Sequence, residues 1–303
     1  MKKSGIIAIA GPSSSGKTAL AIELAKDIDG EIISVDSRQI YKGLDIGSAK
    51  PDLSERCGIP HYMIDIAEIT QEFTVADFSD MANKIIADIL ARGKVPVLAG
   101  GTGLYFRVLL QDFDLPRVAP NLQLREELNQ LDTSKLYEML SELDFESAQK
   151  IHCNNKVKIV RALEVCKTLG IPMSKAQKKK KSPYNTLWFG LNSGERNFLY
   201  DRINNRVDVM IRRGLLNEAK ELFEKYGENN ILMNTIGYQE LYPYLKGEVD
   251  LNSAVELLKQ NTRRYAKRQI SWFKANSDVK WFDIQEKSFD KIKNEIIKIY
   301  NEL

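Results

Sequence analysis

The sequence predicts an α/β fold, a parallel sheet covered on both faces by helices, and three observations predict it. Short β-branched runs alternate with helical patterns from the start of the chain. Those runs are continuously apolar, as strands buried on both faces are, rather than alternating. Between the first strand and the first helix lies the segment GPSSSGKT at 11–18, which fits a strand–loop–helix unit built around phosphate.

The elements follow in order. Residues 6–10 read as a strand, 18–28 as a helix, 31–36 (EIISVD) as a second strand and 61–66 as a third. Thr74 opens a helix with Asp77 as its capping-box partner, and Val75, Phe78, Ala82, Ile85, Ile86 and Ile89 keep helical spacing. Residues 95–99 form the next strand, ended by Gly100 and Gly101. The rhythm changes after about residue 113. Residues 121–170 contain no strand and read as helices, the last stopping at Gly170 with Pro172 beyond. The run Lys178, Lys179, Lys180, Lys181 and then Pro183 reads as an exposed connection, and a strand returns at 186–191. From Phe198 onward the chain is mostly helical, with a short strand near 280–284. The domains assigned are a core of 1–112 plus 190–303 and an all-helical insertion at 113–189.

At 303 residues and 43% hydrophobic content the chain can bury a full core. Charged residues at 28% argue against wholesale disorder, and a net charge of +3 says little about partners. The apolar stretch after Met1-Lys2-Lys3 is too short for a secretory segment, which needs roughly 7–15 apolar residues. No apolar run approaches the roughly 20 residues of a membrane span. Cys57, Cys153 and Cys166 are odd in number and lack CxxC spacing, so they read as packing residues in a reducing cytoplasm, not as a disulfide framework or zinc site. His61 and His152 lack metal-ligand partners at recognisable spacing.

In 11–18 every fixed position of GxxxxGK[ST] is filled. Gly11 and Gly16 let the loop Gly11, Pro12, Ser13, Ser14, Ser15, Gly16 curl so that its donors converge on phosphate oxygens. The helix beginning near Lys17 directs its positive end there, Lys17 adds a point charge, and the Thr18 hydroxyl is placed to ligate Mg²⁺. Any di- or triphosphate would satisfy such a loop, so ATP-dependent kinases and NTPases stay open at this point. Asp36 ends the second strand, where ligands sit in an open α/β sheet. The later strand PVLAGGTG carries no acid, which weakens the case for a motor or switch NTPase. A group transferase with Asp36 as candidate base remains, beside the plainer reading of a turn-capping aspartate.

Together, GPSSSGKT, DSRQIYKGLDIGSAKP (36–51), GIPHYMIDI (58–66), PVLAGGTGLYF (96–106), RALEVCKTLGIPMS (161–174), IGYQEL (236–241) and TRRYAKRQISWFK (262–274) resemble the tRNA dimethylallyltransferase (isopentenyltransferase) family in both content and order. The loop interior Ser13-Ser14-Ser15 departs from the Thr-Ala-Ser often found there, with lysine, threonine and glycines intact. The resemblance implies a P-loop NTPase-like core turned to prenyl transfer. The loop would hold dimethylallyl diphosphate with Mg²⁺, and the acceptor would be the exocyclic N6 of the adenosine immediately 3′ of the anticodon in tRNA. By family position Asp36 is the base that takes the amine's proton, and Thr102 is a second catalytic residue beside the reacting groups. The resemblance also implies that Arg268 reaches the diphosphate.

The same resemblance assigns the strip Asp36, Ser37, Arg38, Gln39 and Thr102 to the target adenine. It assigns Arg125, Val157, Lys158, Ile159, Val160 and Arg161 to the anticodon stem-loop, with the helical insertion as a clamp over it. In TRRYAKRQISWFK, Arg263, Arg264, Lys267, Arg268 and Lys274 occur without an acidic residue and suit phosphate contacts, while Tyr265, Trp272 and Phe273 read as core aromatics. The protein is expected to act as a monomer. Two alternatives stay open: a small-molecule kinase using ATP and the same Asp36, and an adenylate isopentenyltransferase that shares the prenyl-donor half. A small-molecule kinase would have no use for the basic C-terminal helix, and an adenylate isopentenyltransferase would need neither RALEV nor TRRYAKRQ. A non-enzymatic RNA-binding protein is at odds with an intact Lys17, Thr18 and Asp36.

Overall fold

The structure is a computed structural model that describes residues 5–111, 116, 118–177, 182 and 184–302. The chain divides into two compact units, residues 1–110 with 183–303, and residues 111–182.

The first unit is built on β1 (Gly5–Ala10), β2 (Gly30–Val35), β3 (His61–Tyr62), β4 (Val95–Gly100), β5 (Asn185–Asn192) and β6 (Lys280–Asp283). Among the described residues these make one sheet in the order β3-β2-β4-β1-β5-β6, every pairing parallel. Parallel neighbours need crossovers, and α1 (Lys17–Ile28), α2 (Val75–Ala91), α3 (Gly103–Leu110) and α14 (Phe289–Asn301) cover the two faces. Alternate side chains of β1 go to opposite cores. Ile6, Ala8 and Ala10 pack with Phe78, Ala82 and Phe106, whereas Ile7 and Ile9 pack with Leu20, Leu24 and Ile292. Both cores are apolar, which is why the strands read as continuous hydrophobic runs.

Helix α2 starts where expected. Thr74 accepts from the Asp77 N–H, and the Asp77 carboxylate accepts from the Thr74 N–H, the reciprocal capping box. The third strand is shorter than the expected 61–66, because Met63 and Asp65 adopt positive φ (62° and 56°) and turn the chain out of the sheet. A third core lies beside the sheet, where Ile40, Tyr41 and Leu44 meet α9 (Arg196–Arg212), α10 (Leu215–Tyr226), α11 (Asn230–Met233), α12 (Tyr242–Leu245) and α13 (Leu251–Lys274) around the fully buried Tyr238.

The second unit is helical: α4 (Leu122–Asn129), α5 (Thr133–Leu143), α6 (Phe145–Lys150), α7 (Lys156–Leu169) and α8 (Met173–Ala176). Leu128, Leu136, Leu140, Ile159 and Leu163 form its core. Gly170 ends α7 in the left-handed conformation, as its position predicts. This unit closes before residue 189, because residues 185–190 pair with β1 as part of a strand of the main sheet. The lysine run 178–181 lies outside the described residues. Of the cysteines only Cys166 is buried; Cys57 and Cys153 are exposed and are not packing residues. Among the described residues no helix is long and apolar enough to cross a membrane.

Candidate functional site

Strand register decides where the site lies. Ala10 is level with Gly100, and Gly100 with Val35, so the loops after β1, β2 and β4 leave the same edge of the sheet together. These three loops carry the 11–18 segment, Asp36 and Thr102. In an open parallel sheet that carboxyl edge is the ligand crevice.

The loop at 11–18 is curled by its glycines. Gly11 has φ 148°, and a Cβ there would stand 2.5 Å from the Leu191 carbonyl oxygen; Gly16 has φ 91° with the Phe289 ring against it. Inside the curl, the Ser14 and Ser15 hydroxyls are buried and have no hydrogen-bond partner among the described residues. Buried polar atoms are normally paired, so two orphaned hydroxyls at the start of a helix mark a place for an anion. Lys17 Nζ donates to the Pro12 carbonyl at 2.7 Å. Burial, reinforced by the Arg206 charge and opposed by Asp36, brings the Lys17 pKa down to about 7.

A cavity of about 490 Å³ opens from this loop, and Lys17, Thr18, Asp36, Arg206, Arg268 and Gln269 are in its wall. A second, of about 650 Å³, shares Lys17, Thr18 and Arg206 in its wall, so these three residues are common to both chambers. Asp36 caps its own turn: Oδ1 accepts from the Arg38 N–H at 2.8 Å and the Gln39 N–H at 3.4 Å, so the carboxylate is aimed by backbone alone.

The expected strip comes together, but its side chains are used unevenly. The Thr102 hydroxyl accepts from the Ser37 N–H at 3.0 Å and lies against Tyr265, which makes it a clip between the Asp36 turn and α13. Gln39 is buried, accepting from the Ser34 hydroxyl and donating to the Ser48 and Ala49 carbonyls, so its amide holds the loop. Arg38 donates to the Asn234 carbonyl. Of the aromatics in 262–274 only Phe273 is core. Tyr265 faces the cavity, its pKa pushed up to about 12 by burial and the Asp36 charge, and Trp272 is exposed, its indole lying against Gly103.

Three residues of the site were not singled out from the sequence, Gln269 among them although it lies within the 262–274 motif. Arg206 lines both cavities, Arg202 donates to the Ser14 carbonyl at 2.9 Å, and Gln269 joins Ser13 to Gly101. The two arginines stand four apart on α9, a spacing that puts them on one helix face, but an arginine pair on a polar helix ordinarily marks a solvated surface.

In the helical unit the expected RNA contacts divide. Ile159 and Val160 are buried in its core, so their side chains do not face a partner; Val157 and Lys158 are exposed. Arg125 and Arg161 both pair with Glu164, which is fully buried, and Arg161 also donates to the Val118 carbonyl. Burial alone would raise the Glu164 pKa, but the two guanidinium groups outweigh it and hold it below the ordinary value. Glu164→Gln is expected to destabilise this unit by about 1–3 kcal/mol, less than a fully buried broken pair, because both arginines keep roughly a third of their side chains in solvent. Denaturant midpoints at constant slope check this. The difference from wild type should shrink as pH falls through the folded-state pKa of Glu164, where wild type loses the pair as well.

Comparison with known proteins gives a consistent result. The family model described as IPP transferase matches residues 39–276. The tRNA dimethylallyltransferase of Halalkalibacterium halodurans is 42% identical over 99% of this chain and 96% of its own, and that of Halothermothrix orenii 45% over 98% and 92%. Among solved structures, the tRNA isopentenylpyrophosphate transferase of Staphylococcus epidermidis is similar with a TM-score of 0.74 and 43% identity, covering 99% of both chains. A eukaryotic dimethylallyltransferase solved while acting on tRNA has a TM-score of 0.81 and 31% identity, over 93% of this chain and 74% of that one. With the family model matched across most of its length and relatives 42–45% identical over nearly all of it, this chain belongs to the IPP transferase family.

Proposed function

We propose that the protein transfers the dimethylallyl group of dimethylallyl diphosphate to the exocyclic N6 of the adenosine immediately 3′ of the anticodon in tRNA, releasing diphosphate. The observation that carries this reading is the pairing of an anion-binding loop with an oriented carboxylate across one cavity. Breaking the allylic C–O bond leaves negative charge on diphosphate, where Lys17, the Ser14 and Ser15 hydroxyls and the start of α1 are already gathered. The adenine amine is a weak nucleophile because its lone pair is delocalised into the ring. Asp36 accepts its proton as the N–C bond forms. The target base must leave its stack, which costs least in a single-stranded loop. The two chambers meeting at Lys17 and Thr18 give donor and acceptor separate approaches to the same point.

Mg²⁺ fits this donor set. The ion would be held mainly by phosphate oxygens and water with the Thr18 hydroxyl. When bound, it neutralises charge on the departing diphosphate. In the helical unit, the exposed Lys158 and Val157 support a grip on the anticodon stem-loop.

The direct test combines purified protein, Mg²⁺, dimethylallyl diphosphate and an unmodified tRNA with adenine 3′ to its anticodon, followed by nucleoside mass spectrometry. AMP serves as a parallel acceptor and ATP as a parallel donor. A prenyl mass on that adenosine alone is expected; phosphate transfer from ATP would overturn the reading. Arg268 is exposed on α13 at the cavity wall. Arg268→Ala should weaken tRNA binding and reduce its salt slope by about one. A defect that does not change with salt would give Arg268 a packing role instead.

A further inference from the structure

The hydrogen bonding of the phosphate loop is uneven along its length. The inner donors, the Ser14 and Ser15 hydroxyls, are buried and unpartnered among the described residues. The outer residue, Ser13, is already taken: its N–H donates to Gln269 Oε1 at 2.8 Å and its hydroxyl lies 3.3 Å from the same oxygen. Gln269 is itself fixed, being 5% exposed and donating through Nε2 to the Gly101 carbonyl at 3.0 Å. Gly101 admits it only because it has no side chain, since a Cβ there would stand 2.0 Å from that nitrogen.

In a loop of this type, successive phosphate groups of a polyphosphate are held by successive donors along the curl. We propose that Gln269 sets the length of polyphosphate this loop accepts, by occupying the Ser13 end so that two phosphate groups are gripped and a third finds the Ser13 donors already taken. This makes Gln269 a specificity-determining residue of the donor site: it separates a prenyl diphosphate from a nucleoside triphosphate that the 11–18 motif alone would admit. The inference rests on the reading of that loop as a diphosphate site.

Seating a third phosphate group at Ser13 would break its bonds to Gln269 and leave a buried amide oxygen unpaired. An unsatisfied buried group of that kind corresponds to at least about a tenfold loss of affinity. Shortening Gln269 frees the Ser13 donors. A carboxylate in its place still accepts from Ser13, but it adds negative charge where a third phosphate group would lie.

The test is titration calorimetry of the full chain with Mg²⁺, comparing inorganic pyrophosphate with inorganic tripolyphosphate in wild type, Gln269→Ala and Gln269→Glu. Wild type is expected to bind pyrophosphate more tightly. Gln269→Ala should shift the ratio at least about tenfold toward tripolyphosphate, and Gln269→Glu should shift it the opposite way. A merely structural role moves the two variants in the same direction or leaves the ratio alone, and either result overturns the proposal. If the alanine variant does not fold, the near-isosteric glutamate variant decides by its own ratio. A wild type that binds neither polyphosphate would overturn the diphosphate reading of the loop itself, a failure distinct from an unchanged ratio.

Discussion

Replacing Asp36 with alanine is expected to lower the rate of prenyl transfer by about 10²–10⁴-fold while leaving tRNA affinity nearly unchanged. Its Oδ1 is held by the Arg38 and Gln39 backbone N–H groups, which leaves the other oxygen to meet the acceptor. Asp36→Asn preserves that turn, because an amide oxygen accepts the same two bonds, but it removes the base. The asparagine variant should therefore lose nearly as much rate as the alanine variant. Single-turnover measurement at saturating donor, with tRNA binding measured separately, checks both. Turnover close to wild type in Asp36→Asn would confine the residue to capping its turn.

The second large effect is expected at Lys17. Lys17→Ala should lower the rate by about 10²–10³-fold, the usual consequence of removing one preorganised donor from a developing anion. The residue also predicts a pH dependence of definite sign. With burial and Arg206 bringing its pKa to about 7, the lysine of the donor-free protein is largely charged below pH 7 and largely neutral above it. Diphosphate binds the charged form more tightly, so above pH 7 donor binding must take up a proton. Donor Kd should rise by up to about tenfold per pH unit there and flatten below. The Lys17→Ala variant provides the control, since the donor's own titration persists in it. An identical pH profile in both proteins would remove Lys17 as the cause.

Lys17 and Asp36 were visible beforehand because each sits at a fixed offset from a local signal: the lysine inside a glycine-bounded turn, the aspartate at the end of an apolar strand. The helix start at Thr74 and the stop at Gly170 were legible for the same reason, since a capping box and a left-handed glycine act over a few residues. The third strand was overestimated because the apolar residues of HYMIDI at 61–66 read as one run, while Met63 and Asp65 turn left-handed and the Lys50 ammonium bonds the Asp65 carboxylate and the Tyr41 carbonyl there. In the helical unit, Arg125 and Arg161 were assigned to RNA by the resemblance alone. Glu164 stands three residues after Arg161 on α7, a spacing that puts the two on one helix face, but its bond to Arg125 spans 39 residues and has no local signal.

By itself, the sequence determined the parallel sheet, the glycine-bounded loop after its first strand, the aspartate at the end of its second and the run of helices after residue 121, all of them patterns of near neighbours. Only the tertiary structure decided what completes the site. Ser13 and Gln269 are 256 residues apart in the chain, and Gln269 and Gly101 are 168 apart. Arg206 joins Lys17 only because α9 packs along the sheet's carboxyl edge. Contacts of that range leave no spacing in the chain to read, because they come from the closing of helix faces over a core, and side-chain packing alone sets which polar groups are brought together there.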